Sequence, residues 1–468
     1  MIGRLSLATS LVALTALTLL VVRRKNPLEP TVLLVATTAL VGVFYPLGSA
    51  LVTPLTWRHG AHLSEEVLQA TQAQFLAFAL GVCLVVANIR WRRAAAEPVD
   101  DDQSDDPGHA AFVRFRDLTI ATGLVVGGAL LYALYVKKIG LGPLLDRSNF
   151  AEKYRVSSGL GTLYFGLNLV IAGCLWAEAS ALSRRATTLF RAVAAGVLLW
   201  SIAFVAVRTY AVALFLGYLY LACRRADFSL ARVRPWLVVA LGLGYVAVES
   251  YAMLRGAWRG SIVEALQTVQ HEQHGFERSF GQIVGGSELS HPFLTAMELT
   301  QYEEAGALRG ESYAGAVLGV LPLWLYPDRP PTPAQDFARR HYPSFEARGG
   351  GTAFSVVGEA WWNFGPLVGP FLVGLCLAFV LRSLERTTWV RPDSYVTRFQ
   401  PYLVHMVVLL HRGSSVSIAK HLFSVFLPIF ALTVAVGLVW RGLGARTLER
   451  GSRGAPGTPR LSHAEGGA

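Results

Sequence analysis

The sequence predicts an all-α, polytopic membrane protein, and three observations predict it. Long apolar runs recur along the whole chain. Charged residues make up 16% of it against 53% hydrophobic ones, with a mean hydropathy of +0.42, whereas a soluble domain carries about 25% charged residues. Basic residues gather in the short segments between the runs, the pattern that sets membrane topology. The 468 residues and their formal charge of +11 therefore point neither to stacked soluble domains nor to a nucleic-acid partner.

About 20 apolar residues cross a bilayer. By that ruler about eleven spans are expected, near 5–22, 31–56, 67–89, 117–137, 161–182, 187–207, 209–223, 236–254, 363–381, 400–411 and 420–440. The first run is followed by Arg23, Arg24 and Lys25, lacks a small-residue cleavage site and precedes another long run. It reads as a retained span rather than a signal peptide. The apolar stretch from Tyr313 to Tyr326 contains Pro322 and reads as a re-entrant or surface helix, with a full span as the alternative. Cys83, Cys174, Cys223 and Cys376 all fall in apolar runs and read as buried, inert thiols. Their spacing fits neither a disulfide framework nor a metal site.

Orientation follows from the basic clusters. Arg23 to Lys25, Arg90 with Arg92 and Arg93, Arg184 with Arg185, Arg224 with Arg225, Arg382 with Arg386, and Arg441 with Arg446 fall on one side if the spans alternate. That side is the cytoplasm by the positive-inside bias. Residues 94–116 then form an acidic cytoplasmic linker, and the Gly/Pro/Ser-rich residues 446–468 form a disordered cytoplasmic tail. The opposite face carries a short loop, 140–160, and a long arm, 256–362. That arm holds twelve acidic residues, seven arginines and no lysine. An arm of such length is either functional or disordered, and its aromatic residues and helical stretches favour order.

Ionisable groups concentrate on this outer side. Arg147 and Arg155 lie in the short loop, and Arg208 in a bend, FVAVRTYAV. Arg255 follows the eighth span, and Arg412 sits in LLHRGSSVSIAKH, eight residues before Lys420. Arginine stays charged and grips phosphate oxygens in a bidentate way, so several at one membrane face suit a lipid-linked diphosphate. Snorkelling to headgroups is the competing reading for each. The richest stretch is RGGGTAFSVVGEAWWNFGPLVGPFLVGL, from Arg348 to Leu375. It places Arg348, Glu359 and Asn363 beside two tryptophans at the mouth of a span. Charges at a membrane boundary are costly and are usually functional, and aromatic residues mark the headgroup level. Soluble-enzyme signatures are absent: no P-loop, no G-x-S-x-G, no H-E-x-x-H and no paired C-x-x-C.

The stretch GGGTAFSVVGEAWWNFGPLVGPFLVG resembles the motif of the Wzy-type O-antigen (oligosaccharide repeat-unit) polymerases. The element G-E-x-x-x-N-F-G is carried here by Gly358, Glu359, Asn363, Phe364 and Gly365. VLPLWLYPDRPPTPAQDF is similar to that family's proline-rich outer loop. Arg208 and the HRGSS run with Arg412 resemble its arginines at span ends, although Ala206 and Val207 replace the usual small residue and serine before Arg208. The resemblance implies a type C glycosyltransferase fold in the bacterial cytoplasmic membrane, with its active site outside. It implies an isoprenoid-diphosphate-linked oligosaccharide as substrate, with membrane lipid, a chain-length regulator and a flippase as partners, and neither cofactor nor metal. Fixed positive charge must meet the leaving diphosphate, and a base aids the attacking hydroxyl. Glu359, Arg208 and Arg412 are the expected catalytic groups. Arg147, Arg155, Arg255, Arg348, Lys420, His341, Asp336 and Asn363 are expected to bind diphosphate or glycan, with Asp336 and His341 next in line as base. Glu359 as a plain structural acceptor of backbone amides is the competing reading. A lipid-linked glycan ligase, or a polysaccharide transporter, is the alternative to the polymerase.

Overall fold

The computed structural model describes residues 13–15, 17, 29–51, 64–88, 107–142, 160–180, 182–201, 208–225, 291–321, 325–327, 329–347, 352–390 and 394–453. The expected spans 5–22 (save four residues) and 236–254 lie outside these, as do residues 143–159 of the loop expected at 140–160, residues 256–290 of the arm expected at 256–362, residues 94–106 of the linker and 454–468 of the tail. Every described regular element is a helix. In chain order they are α1 (Pro30–Leu51), α2 (Glu65–Asn88), α3 (Pro107–Ile139), α4 (Gly161–Tyr164), α5 (Gly166–Ala179), α6 (Arg184–Trp200), α7 (Arg208–Arg225), α8 (His291–Tyr302), α9 (Glu311–Leu318), α10 (Pro333–His341), α11 (Pro343–Glu346), α12 (Val356–Phe364), α13 (Val368–Val390), α14 (Tyr395–Leu409) and α15 (Ser415–Arg453).

Among the described residues four helices are long and apolar enough to cross a membrane: Glu65–Ala87, Ala110–Ile139, Val368–Thr388 and Ser415–Trp440. Their outer faces keep large apolar side chains exposed, among them Leu130, Phe379 and Phe430. That is the surface a helix shows to lipid. The expected span 161–182 divides at Phe165 into α4 and α5. The stretch 313–326 yields only the eight-residue α9, too short to cross a bilayer. Of the four cysteines expected to be buried, Cys174 and Cys223 are, Cys83 is half-buried, and Cys376 is exposed on α13.

Helices in lipid gain little from hiding apolar surface against each other, so close backbone contact through small residues must do the work. Two helix pairs show it. Gly81 of α2 faces Phe371 of α13, and Gly374 of α13 faces Phe78 of α2. A side chain on either glycine would run into the opposing carbonyl oxygen. Likewise Gly128 of α3 and Gly166 of α5 face each other's carbonyl oxygens. These contacts pair α2 with α13 and α3 with α5 along their lengths.

Charge gathers at one end of this bundle in three knots, each around a buried carboxylate. Asp117 of α3 accepts from Arg116 at 2.9 Å and from Arg398 of α14 at 3.2 Å, and Arg398 also caps the last turn of α5 at the Ala179 carbonyl, 2.6 Å away. Glu178 of α5 takes Arg191 of α6 at 2.8 and 2.6 Å and Arg225 of α7 at 2.6 Å. Glu385 of α13 accepts from the backbone and hydroxyl of Thr31 at 2.8 and 2.9 Å and from Arg382 at 2.8 Å, while Arg382 also reaches Glu29 at 3.2 Å. A carboxylate taken from water is tolerable only when paired in this way. Arg225 and Arg382, counted above as topology signals, thus also neutralise buried carboxylates. The helices between these knots are apolar, and the remaining polar network lies at the opposite end.

Gly374→Leu is expected to force α2 from α13 and cost at least about 2 kcal/mol, the scale of overpacking. Gly127→Ala, where no atom lies within 4 Å of the added carbon, is expected to be neutral or slightly stabilising. Thermal unfolding of the detergent-solubilised proteins checks both, and equal effects would disprove the assigned packing.

Candidate functional site

The polar end is built around the short helix α12. Ser355 caps it: the Ser355 hydroxyl oxygen accepts from the Val357 and Gly358 amides at 3.0 and 3.3 Å. This is ordinary N-cap chemistry. The Val356 amide donates to the Leu410 carbonyl at 2.8 Å, which ties the start of α12 to the turn between α14 and α15. Its last carbonyls, Trp361 and Trp362, accept from the Gly306 and Leu308 amides at 3.2 and 3.0 Å. Trp361, Trp362, Phe337, Phe354 and Leu299 form a small apolar core beneath it.

Glu359 projects from α12 and is completely buried, 0% exposed. Its Oε1 accepts from the hydroxyls of Ser312 at 2.6 Å and Ser415 at 2.5 Å, and its Oε2 accepts from the Ser415 amide at 2.7 Å. Ser415 opens α15, so the carboxyl satisfies one of the orphan amides of that helix and sits at its positive end. Asn363, one turn on, is also buried. Its Nδ2 donates to the Ser312 hydroxyl at 2.8 Å and to the Glu359 carbonyl at 2.7 Å. Four residues on three helices, α9, α12 and α15, are thereby locked together. Burial pushes the Glu359 carboxyl above its ordinary value of about 4.5, and the donors from Ser312 and Ser415 pull it partly back. This is the geometry of the acceptor reading: both oxygens face protein donors and neither faces solvent.

The other expected residues fall into three groups. Arg412 is exposed in the turn before α15, three residues from Ser415. Lys420 is half-buried on the second turn of α15, against Gly319. Asp336 and His341 are half-buried on α10 but turn to each other's neighbours rather than to Glu359. Asp336 pairs with Arg340 at 2.6 Å; His341 Nε2 meets Glu303 Oε1 at 2.7 Å and stacks on Tyr302. Arg208 begins α7, but its side chain is not among the described ones. Arg147, Arg155, Arg255 and Arg348 lie outside the described residues.

Several participants were not singled out in the sequence. Ser312 and Ser415 complete the Glu359 knot. Glu303 and Arg340 order α10, with Arg340 also 5.6 Å over the Trp362 ring. His411, beside Arg412, is buried with Nε2 3.0 Å from the Thr38 hydroxyl, between the rings of Phe75 and Phe78. Only His411 and Ser415 carried a usable signal, as the first and last residues of the HRGSS run. Among the described residues no group of His, Cys, Asp and Glu is arranged to hold a metal ion. No protein-family model, no curated protein and no solved structure matches this chain.

Glu359→Gln is expected to keep the fold. Its carbonyl still accepts from the Ser415 amide, and the serine hydroxyls rotate to accept from its NH₂. Glu359→Ala leaves three buried donors unmet and is expected to cost about 2 to 4 kcal/mol. The raised carboxyl fixes the sign of a pH effect. The folded state holds the proton more tightly than the unfolded one, so the contribution of Glu359 to stability is fully present below about pH 4.5 and is lost as pH rises through the folded-state value. The Gln variant should lack that slope. Parallel unfolding curves across pH would show the carboxyl to be inert.

Proposed function

We propose that the protein lengthens a surface polysaccharide by joining isoprenoid-diphosphate-linked oligosaccharide repeat units at the outer face of the cytoplasmic membrane. One observation carries this reading. The two separate sequence elements that resemble the Wzy-type polymerases, Gly358–Gly365 and the HRGSS run, meet in space through the Glu359–Ser415 hydrogen bonds, 56 residues apart in the chain. A pair of motifs joined so directly belongs to one site.

In this reading a hydroxyl of the acceptor sugar attacks the anomeric carbon of the donor glycan. The bond from that carbon to the diphosphate oxygen breaks, and the diphosphate-lipid departs with the electron pair. The hydroxyl proton passes to a base. Arg412, with Arg208, supplies fixed positive charge for the departing diphosphate, where such charge matters most. Glu359, closed from solvent, holds the frame on which Arg412 stands and does not take the proton. That step falls to His341, whose ring Glu303 orients, as a carboxylate commonly orients a catalytic imidazole. The type C glycosyltransferase fold, the outward-facing site and the chain-length regulator and flippase as partners belong to the same proposal.

Arg412→Ala and Arg208→Ala are each expected to lower polymer yield at least about 100-fold. The lysine variants should recover only part of it, because a point charge does not replace the guanidinium fork. The check is the glycan ladder from membranes at matched protein levels. Normal ladders from both alanine variants would leave the arginines as headgroup anchors.

A chain-deletion strain tests the reaction itself. Loss of long chains with single repeat units still attached is the expected result; complete loss from the final acceptor would identify a ligase instead. For sidedness, single cysteines at Ala305 and Arg185 in a cysteine-free background are expected to differ, with only the former reacting with an impermeant reagent in intact cells.

A further inference from the structure

One of the charge knots carries more positive charge than its carboxylate neutralises. Glu178 of α5 is buried and takes guanidiniums from two other helices, Arg191 of α6 at 2.8 and 2.6 Å and Arg225 of α7 at 2.6 Å. Arg225 also donates to the Glu178 carbonyl at 3.1 Å. Each guanidinium has five N–H groups; two are used in these bonds, and three remain on each. Both side chains stay open to their surroundings, 54% and 58% exposed. Among the described residues no second carboxylate pairs with either of them. The knot is therefore a net cation whose two forks are held still by a buried acceptor.

The outer face of α6 extends this charge and then ends it. Arg184, Thr188, Arg191, Ala195 and Leu199 recur at helical spacing on one face, and all five are exposed. Phe190, Ala194 and Val197 on the opposite face are buried. The exposed face is cationic and polar from Arg184 to Arg191, a rise of roughly 10 Å, and apolar over the next roughly 12 Å to Leu199. Gly196 borders the apolar part, with no atom within 4 Å of an added carbon, so that surface is open. A soluble anion would need only the first half of this face. A phospholipid needs both halves in this order, phosphate at the charged end of the bundle and acyl chain toward its middle. Arginine forks grip phosphate oxygens, and basic pockets between helices at a membrane face hold anionic headgroups. A zwitterionic headgroup would bring its own ammonium back among the arginines.

We propose that Arg184, Arg191 and Arg225 bind the headgroup phosphate of an anionic phospholipid whose acyl chain lies along Ala195 and Leu199. The site stands whatever reaction the protein performs. The measurement is the lipid retained by the purified full-length protein in detergent micelles containing equal amounts of phosphatidylglycerol and phosphatidylcholine with matched chains, counted by mass spectrometry. Wild-type protein is expected to enrich phosphatidylglycerol. Arg184→Gln and Arg191→Gln are each expected to lower that enrichment about fivefold, the scale of one arginine at an anionic surface. Arg184→Lys, which keeps the charge without the fork, should fall between wild type and Arg184→Gln. Arg184 takes no part in the Glu178 bonds, so Arg184→Gln reads binding even if Arg191→Gln disturbs the fold. Arg114, exposed near the start of α3 at the same end of the bundle, is the control, and Arg114→Gln should leave the enrichment unchanged. No enrichment by the wild type, or unchanged enrichment in both Gln variants of α6, overturns the site. An equal loss in Arg114→Gln also overturns it, since the effect would then belong to the general field of the basic end. Displacement of the lipid by an equal concentration of glycerol phosphate overturns the lipid-borne source.

Discussion

A buried carboxyl that belongs to no membrane span holds the polar end of this protein together. Glu359 takes three protein donors from two other helices, and Asn363 braces the same serine from below. Without the carboxyl, α9, α12 and α15 are joined only through Ser312, which takes Asn363 at 2.8 Å and, at its carbonyl, the Ser415 hydroxyl at 3.4 Å. Its burial has a cost, visible as the raised proton affinity, and the donors offset part of it. The gain is positional: the turn that carries Arg412 is fixed relative to α9 and α12. In the proposed reaction, where positive charge meets a departing anion, such rigidity serves better than another titrating group.

The rest of the architecture serves the same end by different means. Helices that touch through Gly81 and Gly374, or through Gly128 and Gly166, have little freedom to slide, because opposing carbonyls fill the space a side chain would need. The three charge knots at the other end tie α3 and α5 to α14, α5 to α6 and α7, and α13 to α1. Between a charged end and a polar end lies an apolar interior, with cores such as Trp176, Phe78 and Ile120 fully buried.

Much of this was legible in the sequence, for physical reasons. Runs of apolar residues report burial in lipid regardless of tertiary detail, so helices appear where such runs stand, as at 65–88 and 368–390. The stretch around Glu359 was conspicuous because a carboxylate and an asparagine among tryptophans are improbable without partners. Those partners were not legible. Ser312 and Ser415 are common residue types 47 and 56 positions away, and no local period links them. The competing readings of Glu359, base or acceptor, depend on which groups surround it, and packing sets those. Arg225 and Arg382 looked like loop charges because nothing in sequence marks Glu178 or Glu385 as their partner.

The knot at Glu385 has a consequence in time. Thr31 and Glu385 stand 354 residues apart, at opposite ends of the chain's emergence from the ribosome. When α1 is made, the groups that will receive its first turn do not exist, and Arg382, which will bridge to Glu29, is still unwritten. The first described helix must therefore wait in the membrane with its end hydrated or in the care of some other partner. Its packing partner α2 follows at once, but the carboxylate that receives its first turn comes only with α13. A nascent chain stalled before α13 therefore holds an α1 that is packed along its length and unmet at its end.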